Sequence, residues 1–65
     1  MDWSLFKVGI WYQIIKPSDN YFFDTGDLFR ILDTDTVQVN RQYYDGTMPL
    51  ETCIKGSVGA KAVEV

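Results

Sequence analysis

Leu28-Phe29-Arg30-Ile31-Leu32, Asp33-Thr34-Asp35 and Thr36-Val37-Gln38-Val39-Asn40-Arg41-Gln42-Tyr43 follow one another without a break, and they read as two strands joined by a short acidic turn. Both flanks alternate apolar and polar residues and are rich in β-branched and aromatic types, the pattern of a half-buried strand. Residues that face each other across such a pair must agree in polarity. A three-residue loop over Asp33–Asp35 sets Ile31 opposite Val37, Phe29 opposite Val39 and Arg30 opposite Gln38, whereas a one-residue slip would set Ile31 against Gln38. The first register is therefore expected, and it asks Asp35 to take the left-handed conformation usual at that loop position.

Downstream, Tyr44-Asp45-Gly46-Thr47 carries Asp-Gly, a strong hairpin signal. A two-residue turn there pairs Tyr43 with Met48, Arg41 with Leu50, Val39 with Thr52 and Val37 with Ile54. The inner face is then expected to be Phe29, Ile31, Val37, Val39, Tyr43, Met48, Leu50 and Ile54, with Cys53 on the outer face. Pro49 falls in this fourth strand, so its missing N–H should lie at a sheet edge or point outward.

Upstream, residues 8–16 form a β-branched and aromatic run that stops at Pro17, the expected first strand. Its two parities are both largely apolar, so alternation does not choose the inner one. Pro17-Ser18-Asp19-Asn20 and Asp24-Thr25-Gly26-Asp27 are turn clusters, which makes 17–27 a long loop with Tyr21-Phe22-Phe23 at its tip. After the flexible Gly56-Ser57-Val58-Gly59, residues 60–65 alternate and are expected to close against the first strand. Repeats, low-complexity stretches and linkers are absent, so residues 1–65 read as a single domain.

Five short strands, one long early loop and two tight hairpins resemble an SH3-like barrel, on the residues Gly26-Asp27, Phe29, Ile31, Val37 and Val39. The order is also similar to that of KOW-type modules, in which a Gly-Asp pair precedes an alternating apolar strand. The glycine that such a module carries after that strand is replaced here by Asp33-Thr34-Asp35, and nucleic-acid or ribosome binding is not carried over. The fold class expected is all-β, a small five-stranded SH3-like barrel, with an OB-type barrel as the alternative. The resemblance implies that the long first loop borders a peptide groove, which places Tyr21, Phe22 and Phe23 beside it.

Composition narrows the function. Six Lys or Arg against nine Asp or Glu give a formal charge of −3, which disfavours nucleic acid without removing it, since Lys16, Arg30, Arg41 and Lys55 can gather on one side. A lone cysteine forbids an intrachain disulfide and favours a reducing compartment. Asp2 stands where a targeting sequence would be basic, and no apolar run approaches the ~18 residues of a membrane span, so the chain is expected to be cytoplasmic, without membrane contact.

Chemistry is poorly served. There is no histidine, the commonest general base and metal ligand. Asp24, Asp27, Asp33 and Asp35 lack the spacing of a calcium loop and read as turn caps, and Cys53 has no histidine to activate it. Neither an enzyme nor a cofactor or metal is expected.

The informative surplus is aromatic: two Trp, four Tyr and four Phe in 65 residues. Each large ring can bury about 150–250 Å², and a chain this short buries only about 60% of the surface that its unfolded form exposes. Some rings should remain for a partner, and Trp11, Tyr12, Tyr21, Phe22 and Tyr44 are the candidates. The expected function is a non-catalytic protein-interaction module, of a size and character like viral or mobile-element accessory proteins that bind a host protein. A nucleic-acid-binding module and a subunit of a self-associating oligomer are the alternatives. Far-ultraviolet circular dichroism should be strand-dominated with little helix, and a helix-dominated spectrum contradicts this class.

Overall fold

The computed structural model describes all 65 residues. A 3-10 turn over Trp3–Leu5 precedes β1 (Trp11–Lys16), β2 (Leu28–Ile31), β3 (Thr36–Asn40) and β4 (Asp45–Pro49), followed by α1 (Leu50–Gly56) and β5 (Lys61–Glu64). All pairings are antiparallel and build one open sheet in the order β4-β3-β2-β1-β5, with β4 and β5 as its edges. The chain is thus all-β with one short helix.

The β2–β3 register is the one that polarity matching selects: Phe29 faces Val39, Arg30 faces Gln38 and Ile31 faces Val37. Phe29, Ile31, Val37 and Val39 are buried, as this parity requires. Leu32 N–H bonds Thr36 C=O at 2.9 Å and closes the loop. Asp35 does not take a left-handed conformation; among non-glycine residues only Tyr21 does, at φ 56°.

The second hairpin differs from expectation. Asn40 pairs with Asp45, Val39 with Gly46 and Val37 with Met48, so the turn lies at Gln42-Tyr43 and Asp45-Gly46 is inside β4. Gly46 serves a different need there. The Tyr44 ring folds back across it to donate its hydroxyl to Thr47 C=O at 2.8 Å, and a Cβ on Gly46 would meet that hydroxyl at 3.0 Å. Val37 thus faces Met48 and not Ile54, a displacement of six residues. Being even, it keeps the inward parity of Val37 and Val39, and Met48 still packs on the core. Tyr43, expected inside, is at the turn and 92% exposed.

Residues 50–56 are the second departure, forming a helix where a fourth strand was expected to continue. Pro49 (φ −61°) cannot extend a ladder but can precede a helix. Leu50 and Cys53 then share one face of α1, three residues apart. Leu50 packs on the core and Cys53 is fully buried, not on the outer face, while Ile54 turns to solvent at 46%.

β1 starts at Trp11, later than expected, because Gly9 turns at φ 84° and hands its N–H to Ile31 C=O at 2.8 Å. Its buried parity is Tyr12 and Ile14, and β5 closes on it with Gln13 opposite Val63. The N-terminal segment covers this part of the sheet. Trp3 and Phe6 pack around Phe29 at centroid distances of 4.9 and 5.2 Å, and Trp3 Nε1 donates to Ser57 Oγ at 2.8 Å.

Val39→Asp should unfold the protein or lower its stability by several kcal/mol, since it buries an unpaired carboxylate in a domain of marginal stability. Gln38→Asp, on the outward parity beside Arg30, should leave the melting temperature nearly unchanged. Equal losses contradict the register.

Candidate protein-docking cleft

The loop from Pro17 to Asp27 is shaped by its own polar residues. Buried Ser18 bonds Phe23 three times: its N–H donates to Phe23 C=O at 3.0 Å, its Oγ–H to the same C=O at 3.2 Å, and its Oγ accepts Phe23 N–H at 2.9 Å. Phe22 N–H bonds Asn20 Oδ1 at 3.0 Å, an Asx turn. These bonds send successive rings in different directions. Phe23 enters the core against Phe29, and half-buried Phe22 lies on Gly56, where any Cβ would overlap its ring. Tyr21 is held outside at 71% exposure in a left-handed conformation that a residue this large seldom adopts.

The far side of the loop meets the end of β3. Asp27 is buried, accepts the Asp24 N–H on Oδ2 at 2.9 Å, and lies 3.9 Å from Arg41 Nε. The Arg41 guanidinium also sits 4.8 Å over the Phe22 ring. One arginine thereby ties the long loop to the β3–β4 hairpin through a carboxylate and a ring at once.

Between loop and hairpin lies a cleft of about 640 Å³, walled by Tyr21, Phe22 and residues 24–28 on one side and by residues 40–44 on the other. Its rim carries Tyr21, Tyr43 and Tyr44, the last 46% exposed. Asp24 and Asp27 oppose the single cation Arg41, which is already engaged, so the cleft is aromatic with a negative bias.

The candidates from sequence fall in three places. Tyr21, Phe22 and Tyr44 come together at this cleft. Trp11 lies apart on the outer sheet face, beneath the Arg30 guanidinium at 4.9 Å from its centroid. Tyr12 lies in the core, its hydroxyl accepting the Lys7 N–H at 2.8 Å. Tyr43, Arg41 and Asp27 also belong to the cleft, where the sequence pattern points instead to an inner-face ring, a dispersed cation and a turn cap. The signal for Tyr43 was its neighbour Tyr44, but the hairpin turn placed at Asp45-Gly46 hid it.

No group of three or more His, Cys, Asp or Glu side chains gathers at a point where a metal ion could be held. Burial pushes the Cys53 thiol up to about 11, with nearby Arg41 opposing the shift. No helix is long and apolar enough to cross a membrane. Compared with protein-family models, with curated proteins and with solved structures, the chain matches none.

At pH 8 a thiol with a pKa of about 11 is almost wholly protonated, and only the thiolate attacks. Ellman's reagent should label native Cys53 at least tenfold more slowly than the denatured chain, and equal rates contradict its burial.

Proposed function

We propose that this chain is a small SH3-like β-barrel module that binds a protein partner at the tyrosine-rimmed cleft and catalyses nothing. The barrel reading is supported by the strand order, in which the first strand sits between the second and the last, and by the long β1–β2 loop that borders the cleft. A cytoplasmic setting fits the single free thiol.

The observation that carries the binding reading is Tyr21. An exposed aromatic in a left-handed backbone costs of order 1–3 kcal/mol and persists only where its surroundings over-determine it. Here the Ser18–Phe23 bonds and the Phe22–Gly56 contact do so. Tyr43 and Tyr44 complete a rim of amphipathic rings with few rotatable bonds, the residue type that supplies contact area at low entropic cost. Nucleic acid is the weaker reading, because the cleft's only arginine is held by Asp27 and Phe22.

Peptides selected from a displayed random library against the protein should lose about 2 kcal/mol or more of affinity when Tyr21 or Tyr43 is replaced by Ala, with the fold intact. Selected ligands indifferent to both substitutions overturn the cleft reading. A steep fall of affinity with salt, with competition by oligonucleotide, replaces it with nucleic-acid binding.

A further inference from the structure

The outer face of the sheet holds a cation without an anion. Arg30 stands in β2 between the inward Phe29 and Ile31, so its half-buried side chain points out. Trp11 of β1 lies opposite it in register, with the guanidinium carbon 4.9 Å from the ring centroid. On the other side Gln38 of β3 faces it, and Gln38 Oε1 accepts a hydrogen bond from Arg30 Nη2 at 2.5 Å. The ion pairs of the chain are Arg41–Asp27 and Lys55–Glu51, and neither includes Arg30. Its Nε–H is covered and has no acceptor among the protein's own atoms.

A guanidinium has five donors in a rigid planar fork, and this one has found a single neutral acceptor. Hydrogen bonds between ionised partners are roughly twice as strong as neutral ones, and a carboxylate takes two from the fork in parallel. The amide of Gln38 is therefore a weak occupant that a carboxylate can displace. The Trp11 ring beneath the guanidinium and the Gln38 bond restrain the side chain meanwhile, so less rotamer entropy remains to be lost on binding.

We propose that Arg30, stacked on Trp11, is the receptor for a single carboxylate side chain of a protein partner, with Gln38 as the acceptor it exchanges. None of these three residues lines the tyrosine cleft, and the proposal does not rest on that site. A phosphate backbone fits the surface less well. Gln13, two residues along β1 from Trp11, and Thr47, opposite Gln38, are neutral, and the other cations on β1 and β5, Lys16 and Lys61, face each other five residues beyond Trp11. At ~3.3 Å per residue that is about 16 Å away. One fork without a second cation beside it suits one carboxylate, whereas a polyanion draws its affinity from several cations at once and is opposed by the net charge of −3.

The test follows the Arg30 Nε–H and Trp11 indole N–H resonances of ¹⁵N-labelled protein. The probes are a capped pentapeptide with one central Glu, its Gln counterpart, inorganic phosphate and a short oligothymidylate. The Glu peptide should move both resonances saturably and the Gln peptide should not. Arg30→Lys, which keeps the charge and loses the fork, should weaken binding about fivefold or more. Arg30→Gln should abolish it, with the melting temperature of each variant showing that it is folded. Absence of a saturable shift, equal binding of the Gln peptide, or undiminished binding to Arg30→Lys overturns the carboxylate receptor. Tighter, steeply salt-dependent binding of oligothymidylate overturns it too, in favour of a phosphate site.

Discussion

A single sheet has two faces, and a chain of this length can roof only one of them. Everything else follows from how the inner face, centred on Phe29, is covered. No second sheet lies opposite, so the cover comes from three short pieces of chain: the N-terminal turn with Trp3 and Phe6, the long loop with Phe23, and α1 with Cys53. Each brings one or two bulky groups, and each is pinned by polar bonds where it lands. Trp3 reaches Ser57, Ser18 holds Phe23, and Ser57 Oγ returns to Ile54 C=O at 3.0 Å. Buried serines in a small core are thus the fasteners of its roof, satisfied as buried hydroxyls must be.

The same arrangement explains which parts of the fold are legible in the chain. Strand pairing around Asp33–Asp35 is readable because Arg30 and Gln38 break the apolar pattern at matched positions. The β3–β4 turn is not, because Asp45-Gly46 satisfies a local hairpin preference while the Tyr44 ring uses Gly46 as a seat. α1 is likewise hidden. Its seven residues are too few to display a helical period, and a proline after an alternating run fits a strand edge as well as a helix start. The inward parity of Val37, Val39 and Met48 outlasts the altered pairing because the displacement is even, whereas Tyr43, Cys53 and Ile54 change sides.

For the candidate site, sequence alone can count aromatics but cannot sort them. Ten rings divide between roof, cleft rim and outer sheet according to backbone bonds no longer than a loop turn. Tyr21, Phe22 and Phe23 are chemically alike and adjacent, yet they end in solvent, on Gly56 and in the core. Trp11 and Tyr12 part in the same manner by strand parity. Arg30 and Arg41 show the electrostatic counterpart: one is neutralised internally by Asp27 and the other faces only a neutral amide.

The place of β1 between β2 and β5 bears on how the protein is made. Tyr12 pairs with Phe29 on one side and with Glu64 on the other, so the strand that anchors the core has its second neighbour some fifty residues further along the chain. Contacts so distant in sequence must close a long loop before they contribute, which slows folding of all-β topologies. On the ribosome, β2, β3 and β4 can meander together as they emerge, but one side of β1 stays open until the last strand is free. Until then the growing chain presents an unpaired edge beside its most apolar surface, a stage at which chaperone binding or association with another nascent chain competes with completion of the fold.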